Sequence, residues 1–214
     1  MKHFIIRIFN MIIGIIFYAL GIVVTIKANI GYAPWDVFHV GLANTLGFSI
    51  GFSTILTGIV IVLITVLLGE KIGFGTISNM ILLGIFLDII LYINIIPIPK
   101  NLIINILMLV AGLFIISIGS YFYIGSAFGA GPRDSLMVVL TRKTKISVGI
   151  CRSAIELLVT IIGWFLGGMV GIGTVISVVA IGFCIQITFK ILRFDITSIK
   201  HESLLDTLKT LKKY

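Results

Sequence analysis

Charge is scarce in this chain: 11% of its 214 residues are Asp, Glu, Lys or Arg, where a soluble domain carries about 25%. Hydrophobic residues make up 59%, and the mean hydropathy is +1.23. No soluble core of this size absorbs so much apolar surface, so the solvent is lipid. Cysteine is nearly absent: Cys151 and Cys184 both fall inside apolar runs. That excludes a disulfide framework and a thiolate metal site, and both are expected to be packing residues. Of the three histidines, His3 and His201 lie in polar ends, which leaves His39 as the embedded one. Paired metal-ligand spacing, a nucleophile motif and a phosphate-cradling glycine loop followed by Lys-Ser/Thr are all missing. The expectation is a protein that is not an enzyme and uses no cofactor or metal. Nor does the net charge of +8 point to nucleic acid, because the basic residues lie between apolar runs and in the tail.

Apolar runs dominate what remains. Six are long enough, or nearly so, to cross a bilayer: about 5–26, 51–68, 74–93, 103–124, 149–167 and 172–192. The first is longer than a signal-peptide core and is followed by no small-residue cleavage site, so it reads as a retained helix. Two shorter segments, near 33–46 and 131–145, each open on a turn containing Gly and Pro. They are too short to span and suit re-entrant or interfacial helices. Pro97 and Pro99 mark a central linker, and from Asp195 onward the chain turns polar. Leu204, Leu205, Leu208 and Leu211 recur at helical spacing near Lys209, Lys212 and Lys213. The tail therefore reads as an amphipathic helix on an anionic membrane face or as a solvated end.

Sliding the sequence by 98 residues aligns its halves without a gap. Gly14, Gly21, Gly31, Gly51, Gly69, Gly73, Gly75 and Gly84 fall on Gly112, Gly119, Gly129, Gly149, Gly167, Gly171, Gly173 and Gly182. Windows 14–93 and 112–191 hold 11 and 12 glycines, for which chance gives roughly one or two matches. Pro34 with Pro132, Asp36 with Asp134 and Thr76 with Thr174 match as well. Gly14, Gly21 and Gly84 are expected to allow close helix packing, and Gly31 and Gly129 to make turns. In the two Gly-x-Gly-Thr stretches, Thr76 and Thr174 are candidate N-caps.

The expected architecture is an all-α polytopic membrane protein. Residues 1–96 form one repeat, 97–101 the linker, 102–194 the second repeat and 195–214 a basic amphipathic cytoplasmic tail. Each repeat has three transmembrane helices and one short re-entrant or interfacial helix. With the N-terminus in the cytoplasm, 13 basic residues lie inside and 2 outside, which satisfies the positive-inside rule. Three spans per half invert the second repeat relative to the first. Eight spans with parallel repeats score 12 against 3, so segment length, not charge, favours six.

Candidate chemistry centres on Ala33-Pro34-Trp35-Asp36 and Gly131-Pro132-Arg133-Asp134. Proline suits a first helical position, and Asp two residues later complements the positive end of the dipole. Such residues either cap two helix starts or display paired carboxylates to a polar cavity. Trp35 is replaced by Arg133 across the repeat, and His39 by Met137, as an asymmetric binding site or simple drift would produce. Inside spans, ionisable residues are functional candidates by default. Arg152 and Glu156 share a helical face and can pair, where the first half has Thr54 and Gly58. Asp88, matched by Gln186, lies near the end of the third span. Asn79 and Ser177, at one matched position, are expected to make interhelical hydrogen bonds.

The stretches Gly31-Tyr32-Ala33-Pro34-Trp35-Asp36 and Gly129-Ala130-Gly131-Pro132-Arg133-Asp134, with the two Gly-x-Gly-Thr turns, resemble the YczE/YitT group of bacterial integral membrane proteins. The resemblance covers about residues 5–193 and implies fold and a bacterial cell-membrane location, without an activity. The resulting expectation is a permease for a small polar or charged solute, using Asp36, Asp134, Arg133, Glu156, Trp35, His39, Arg152 and Asp88. The alternative is a non-transporting subunit that recruits a partner through its loops and tail. Besides the lipid bilayer, a homo-oligomer or another membrane partner is left open.

Overall fold

A computed structural model describes residues 2–195, 199 and 201–211. Among them are nine α-helices and no strand: α1 (Lys2–Lys27), α2 (Pro34–Leu46), α3 (Ile50–Leu67), α4 (Phe74–Ile93), α5 (Leu102–Gly125), α6 (Pro132–Thr144), α7 (Val148–Phe165), α8 (Ile172–Ile191) and α9 (Leu204–Leu211). Six of these, α1, α3, α4, α5, α7 and α8, are long and apolar enough to cross a membrane. The other two in the apolar region, α2 and α6, have 13 residues each. At 1.5 Å per residue they reach only about 20 Å, short of the roughly 30 Å hydrocarbon core.

Local chemistry explains these boundaries. Both short helices open on proline in the first turn, after an extended Ala33 or Gly131, because proline's missing N–H is no loss there. Both close on a left-handed residue, Gly47 or Lys145. Asp36 and Asp134 stand in the first turns of α2 and α6, at the positive end of each dipole, and neither side chain hydrogen-bonds a helix amide among the described residues. The N-caps of α4 and α8 are Gly73 and Gly171. Thr76 and Thr174, expected as caps, stand instead at the third helical position. There each hydroxyl accepts the N–H of its cap glycine at 3.2 Å.

At the centre, α1 and α5 cross antiparallel. Gly14 faces Gly119, and Gly21 faces Gly112. A Cβ at Gly14 would lie 2.5 Å from the Tyr123 nitrogen, and one at Gly21 would lie 2.7 Å from the Ile116 nitrogen. Lipid tails are as apolar as leucine, so backbone approach and dispersion hold this crossing rather than hydrophobic exclusion from water. Around it sit Met11, Ile15, Ala19, Val23, Leu113 and Ile116, all buried. Helix α4 packs on α1 and α8 on α5. The short helices reach across: α2 packs on α7, and α6 packs on α3.

Two ends can be distinguished. At the tail end, Arg7 of α1 meets Ser126 after α5, and residues 202–204 bond to Ala127 and Ile72. At the linker end, Lys27 donates to Asn94, and Tyr32 N–H bonds Met169 O at 3.1 Å. Cys151 and Cys184 are free and buried.

Replacing Gly14 by leucine should force α1 and α5 apart. Overpacking typically costs about 1–3 kcal/mol, and here the obstacle is backbone, which cannot move aside. The expected outcome is a clear drop in apparent Tm and in monodisperse yield after detergent extraction. A variant that melts with the native protein would show that the crossing is not this tight.

Candidate functional site

Four backbone hydrogen bonds or turns place the short helices. The Gly75 N–H at the start of α4 donates to Phe128 O before α6, at 2.8 Å, and the Gly173 N–H at the start of α8 donates to Ile30 O before α2, at 2.7 Å. Gly31 and Gly129 follow these carbonyls at φ +111 and +121, in a region that L side chains rarely adopt. Thr76 adds a hydrogen bond from its hydroxyl to Ala130 O at 2.6 Å. Each short helix thereby enters the bundle with its first turn aimed inward.

Between them lies a cavity of about 400 Å³. Its polar lining includes Tyr18, Trp35, His39, Asn79, Arg133, Asp134, Arg152 and Glu156. The first turns of α2 and α6 meet there: the Arg133 guanidinium stacks over the Trp35 ring, 4.9 Å from its centroid. Pairs of this kind contribute on the order of 0.5–2 kcal/mol. Arg133 Nη2 also lies 3.4 Å from His39 Nδ1, and the Thr54 hydroxyl lies 3.2 Å from the same nitrogen. A guanidinium can only donate, so Nδ1 accepts in that contact and the His39 proton belongs on Nε2. Asp36 is 4% exposed, with its Oδ1 3.9 Å from His39 Nδ1; it flanks the cavity without lining it.

No described carboxylate lies within ion-pairing distance of Arg133. Its neighbour Asp134 lines the cavity, is solvent-accessible, and makes no salt bridge or side-chain hydrogen bond among the described residues. Two opposite charges are thus presented side by side with no salt bridge to either among the described residues. By contrast, Arg152 and Glu156 satisfy each other at 2.8 Å across one helical turn on the cavity wall. Asp88 stands elsewhere. Its carboxylate accepts from the Ser49 hydroxyl and from Gly51 N–H, the latter at 2.8 Å, at the start of α3. Of the residues expected to make interhelical hydrogen bonds, Ser177 has a buried hydroxyl with no partner, and Asn79 faces the cavity.

Reading by span misses several lining residues, because hydroxyl groups in an apolar helix give no signal of direction. Tyr18, Ser120 and Tyr123 come from the α1–α5 crossing, and Thr54, Thr57 and Gly58 from α3. His201 is the larger surprise. Expected in a solvated end, it lines the cavity as well. Burial holds its imidazole below the ordinary histidine range, against the opposing pull of the Asp134 carboxylate. The tail is placed there by Arg7, which pairs with Glu202 at 2.7 Å, donates from Nε to Ser126 O at 2.8 Å and covers the Phe128 ring at 4.3 Å. Glu202 N–H bonds Ala127 O at 2.9 Å, and Leu204 N–H bonds Ile72 O at 3.0 Å. The amphipathic helix of the tail forms as α9, but residues 201–204 dock on the protein's own turns. Lys212 and Lys213 lie outside the described residues.

A model of the family of unknown function DUF6198 matches residues 5–190. The chain is 34% identical over 177 residues to the uncharacterized membrane protein YczE of Bacillus subtilis, covering 81% of this chain and 80% of that one. It is 32% identical over 185 residues to an uncharacterized protein of Haemophilus influenzae, covering 84% of each. YyaS of Bacillus subtilis, also uncharacterized, is 28% identical over 182 residues, covering 84% of this chain and 90% of its own. No solved structure matches. The resemblance drawn from the glycine-proline motifs is met by these relatives.

Glu202→Gln tests the docked tail. The part-buried Arg7–Glu202 contact is charge-assisted, a class that contributes about 1.5–3 kcal/mol. Its loss should speed proteolytic cleavage after Lys209 in detergent-purified protein by roughly tenfold or more. Unchanged cleavage would mean that the backbone bonds alone hold the segment.

Proposed function

Because this chain belongs to DUF6198, a family of unknown function, its role has to come from its own cavity, and we propose that it is a membrane permease for a small polar or charged solute. The observation that carries this reading is the pair Arg133 and Asp134, unpaired and adjacent inside a cavity surrounded by apolar spans. Charges cost several kcal/mol at membrane depth and are retained where they handle an ion, proton or solute. Arg133, oriented by Trp35, binds an anionic group. Asp134 binds a cationic one, and Asp36 and His39 tune the guanidinium from beneath. Binding and passage need no covalent step, so the protein acts without enzymatic chemistry.

The antiparallel crossing of α1 and α5 supports an inverted relation between the two sets of helices. Together with the basic-residue count, it favours both termini on the cytoplasmic face of a bacterial cell membrane. The tail docks on its own chain, which favours a role internal to the protein over recruitment of a separate partner.

Reconstituted protein should give a solute-evoked current on a supported membrane when challenged with amino acids, carboxylates, amines and monovalent cations in turn. Arg133→Gln and Asp134→Asn should each cut that response roughly tenfold or more, the scale of a lost charge-assisted contact, with unchanged size-exclusion profiles. A full response from both variants would sink the site assignment.

A further inference from the structure

Position by position, the two sets of four helices have the same helix neighbours except at one place, although α2 packs more closely on α7 than α6 does on α3. Helices α3 and α4 lie in close contact, whereas α7 and α8, which stand 98 residues later, have no comparable packing. The glycines report this directly. Gly51 and Gly84 are buried, each against the other's carbonyl oxygen, and a Cβ at Gly58 would lie 2.6 Å from the Met80 side chain. Their counterparts Gly149 and Gly182 are exposed, and a Cβ on either would meet nothing within 4 Å.

A second observation follows the same division. The contact between α3 and α4 is latched by Asp88, which takes both the Ser49 hydroxyl and the Gly51 N–H. Ninety-eight residues on stand Gln186, Ser147 and Gly149. Ser147 makes no side-chain cap, and Gln186 is exposed with no side-chain hydrogen bond among the described residues. The amide oxygen of a glutamine can accept the same two donors. The latch is therefore complete in one pair and present but unmade in the other. The latched contact is at the linker end, where α3 begins. The unmade one is at the tail end, where α7 begins and where the cavity takes its wall from Ile181, Ile185, Phe189 and His201.

We propose that α3–α4 and α7–α8 are the two gates of the cavity, shut at the linker end and open at the tail end, and that the opposite state exchanges them, with Gln186 latching α7 as Asp88 latches α3. This rests on the permease reading. Small residues let helix backbones approach, and each gate needs such a contact in the state in which it is shut. The gates are chemically unequal. Thr54 and Gly58 on α3 correspond to Arg152 and Glu156 on α7, so closing the second gate brings an ion pair into a dry contact, which is costly unless its charges stay paired. The exchange is thereby biased toward the state seen here.

Cysteine chemistry tests this in native membranes. In a Cys151→Ser, Cys184→Ala background, Gly149→Cys and Gly182→Cys are placed where the structure leaves room, and Ile55→Cys where it packs on Gly84. Copper phenanthroline should join the two glycine positions within one chain, counted as thiols lost to mass-tagging after denaturation. It should also raise labelling of Ile55→Cys by a water-soluble maleimide tenfold or more. A folded protein that forms no such bond overturns the proposal. So do bonds formed only between chains, which would assign the glycines to an interface of two copies, and an internal bond that leaves Ile55→Cys protected. A separate Met137→Cys chain reports on the cavity itself. If it labels from water while the gates fail, the permease reading stands as a fixed channel; if it too is protected, both readings fall.

Discussion

In lipid every backbone amide and carbonyl has to find a partner inside the protein, and the arrangement of this chain depends on how it meets that demand at two turns. Phe128 O and Ile30 O, which precede the short helices, are taken up by the Gly75 and Gly173 N–H groups at the starts of α4 and α8. Without those bonds both carbonyls would be left unsatisfied beside the short helices. With them, α6 is tied to the first set of helices and α2 to the second. The cross-ties aim the Pro34 and Pro132 helix starts at one another and create the space between them. Gly73 and Gly171 permit the approach because a side chain at either would strike the facing backbone.

That space takes its chemistry from positions 98 residues apart that carry different side chains. Where α2 carries Trp35, α6 carries Arg133, and the fold brings the two into a cation–π contact. One half supplies the charge and the other the platform that orients it, which a pair of identical motifs could not do. The neighbouring Arg152–Glu156 pair neutralises itself. Arg133 and Asp134 are consequently the cavity charges left without a salt bridge, in a lining that also holds hydroxyls from α1, α3 and α5.

The tail extends the same logic to the end of the molecule. Arg7 enters the first span one turn from its start, where a charge is costly unless it is paired. It resolves that cost against Glu202, the Ser126 carbonyl and the Phe128 ring together. Because Phe128 also supplies the carbonyl that positions α6, tail docking and the placement of Asp134 share one residue. His201 reaches the cavity as a result.

Much of this was legible beforehand. Runs of apolar residues and the reach of a helix set six spans and two short helices, since length against bilayer thickness is a local property. Glycine and proline spacing located the turns and marked Gly14 and Gly21 for close packing without naming the partner helix, and helical spacing paired Arg152 with Glu156. Other features depend on which side of a helix faces which neighbour, and span composition is silent on that. Asp88 looked like any embedded carboxylate, yet the approach of α3 made it a latch. Ser177 looked like a hydrogen-bonding residue but its hydroxyl has no partner among the described residues, and Glu202 looked solvated until Arg7 was brought to it across the fold. Sequence alone determined the lipid solvent, the helices and the stock of charges, because these follow from composition and local spacing. Tertiary structure decided which charges are paired, which are left facing the cavity and which neighbouring helices close on each other, because those are properties of contacts between distant segments.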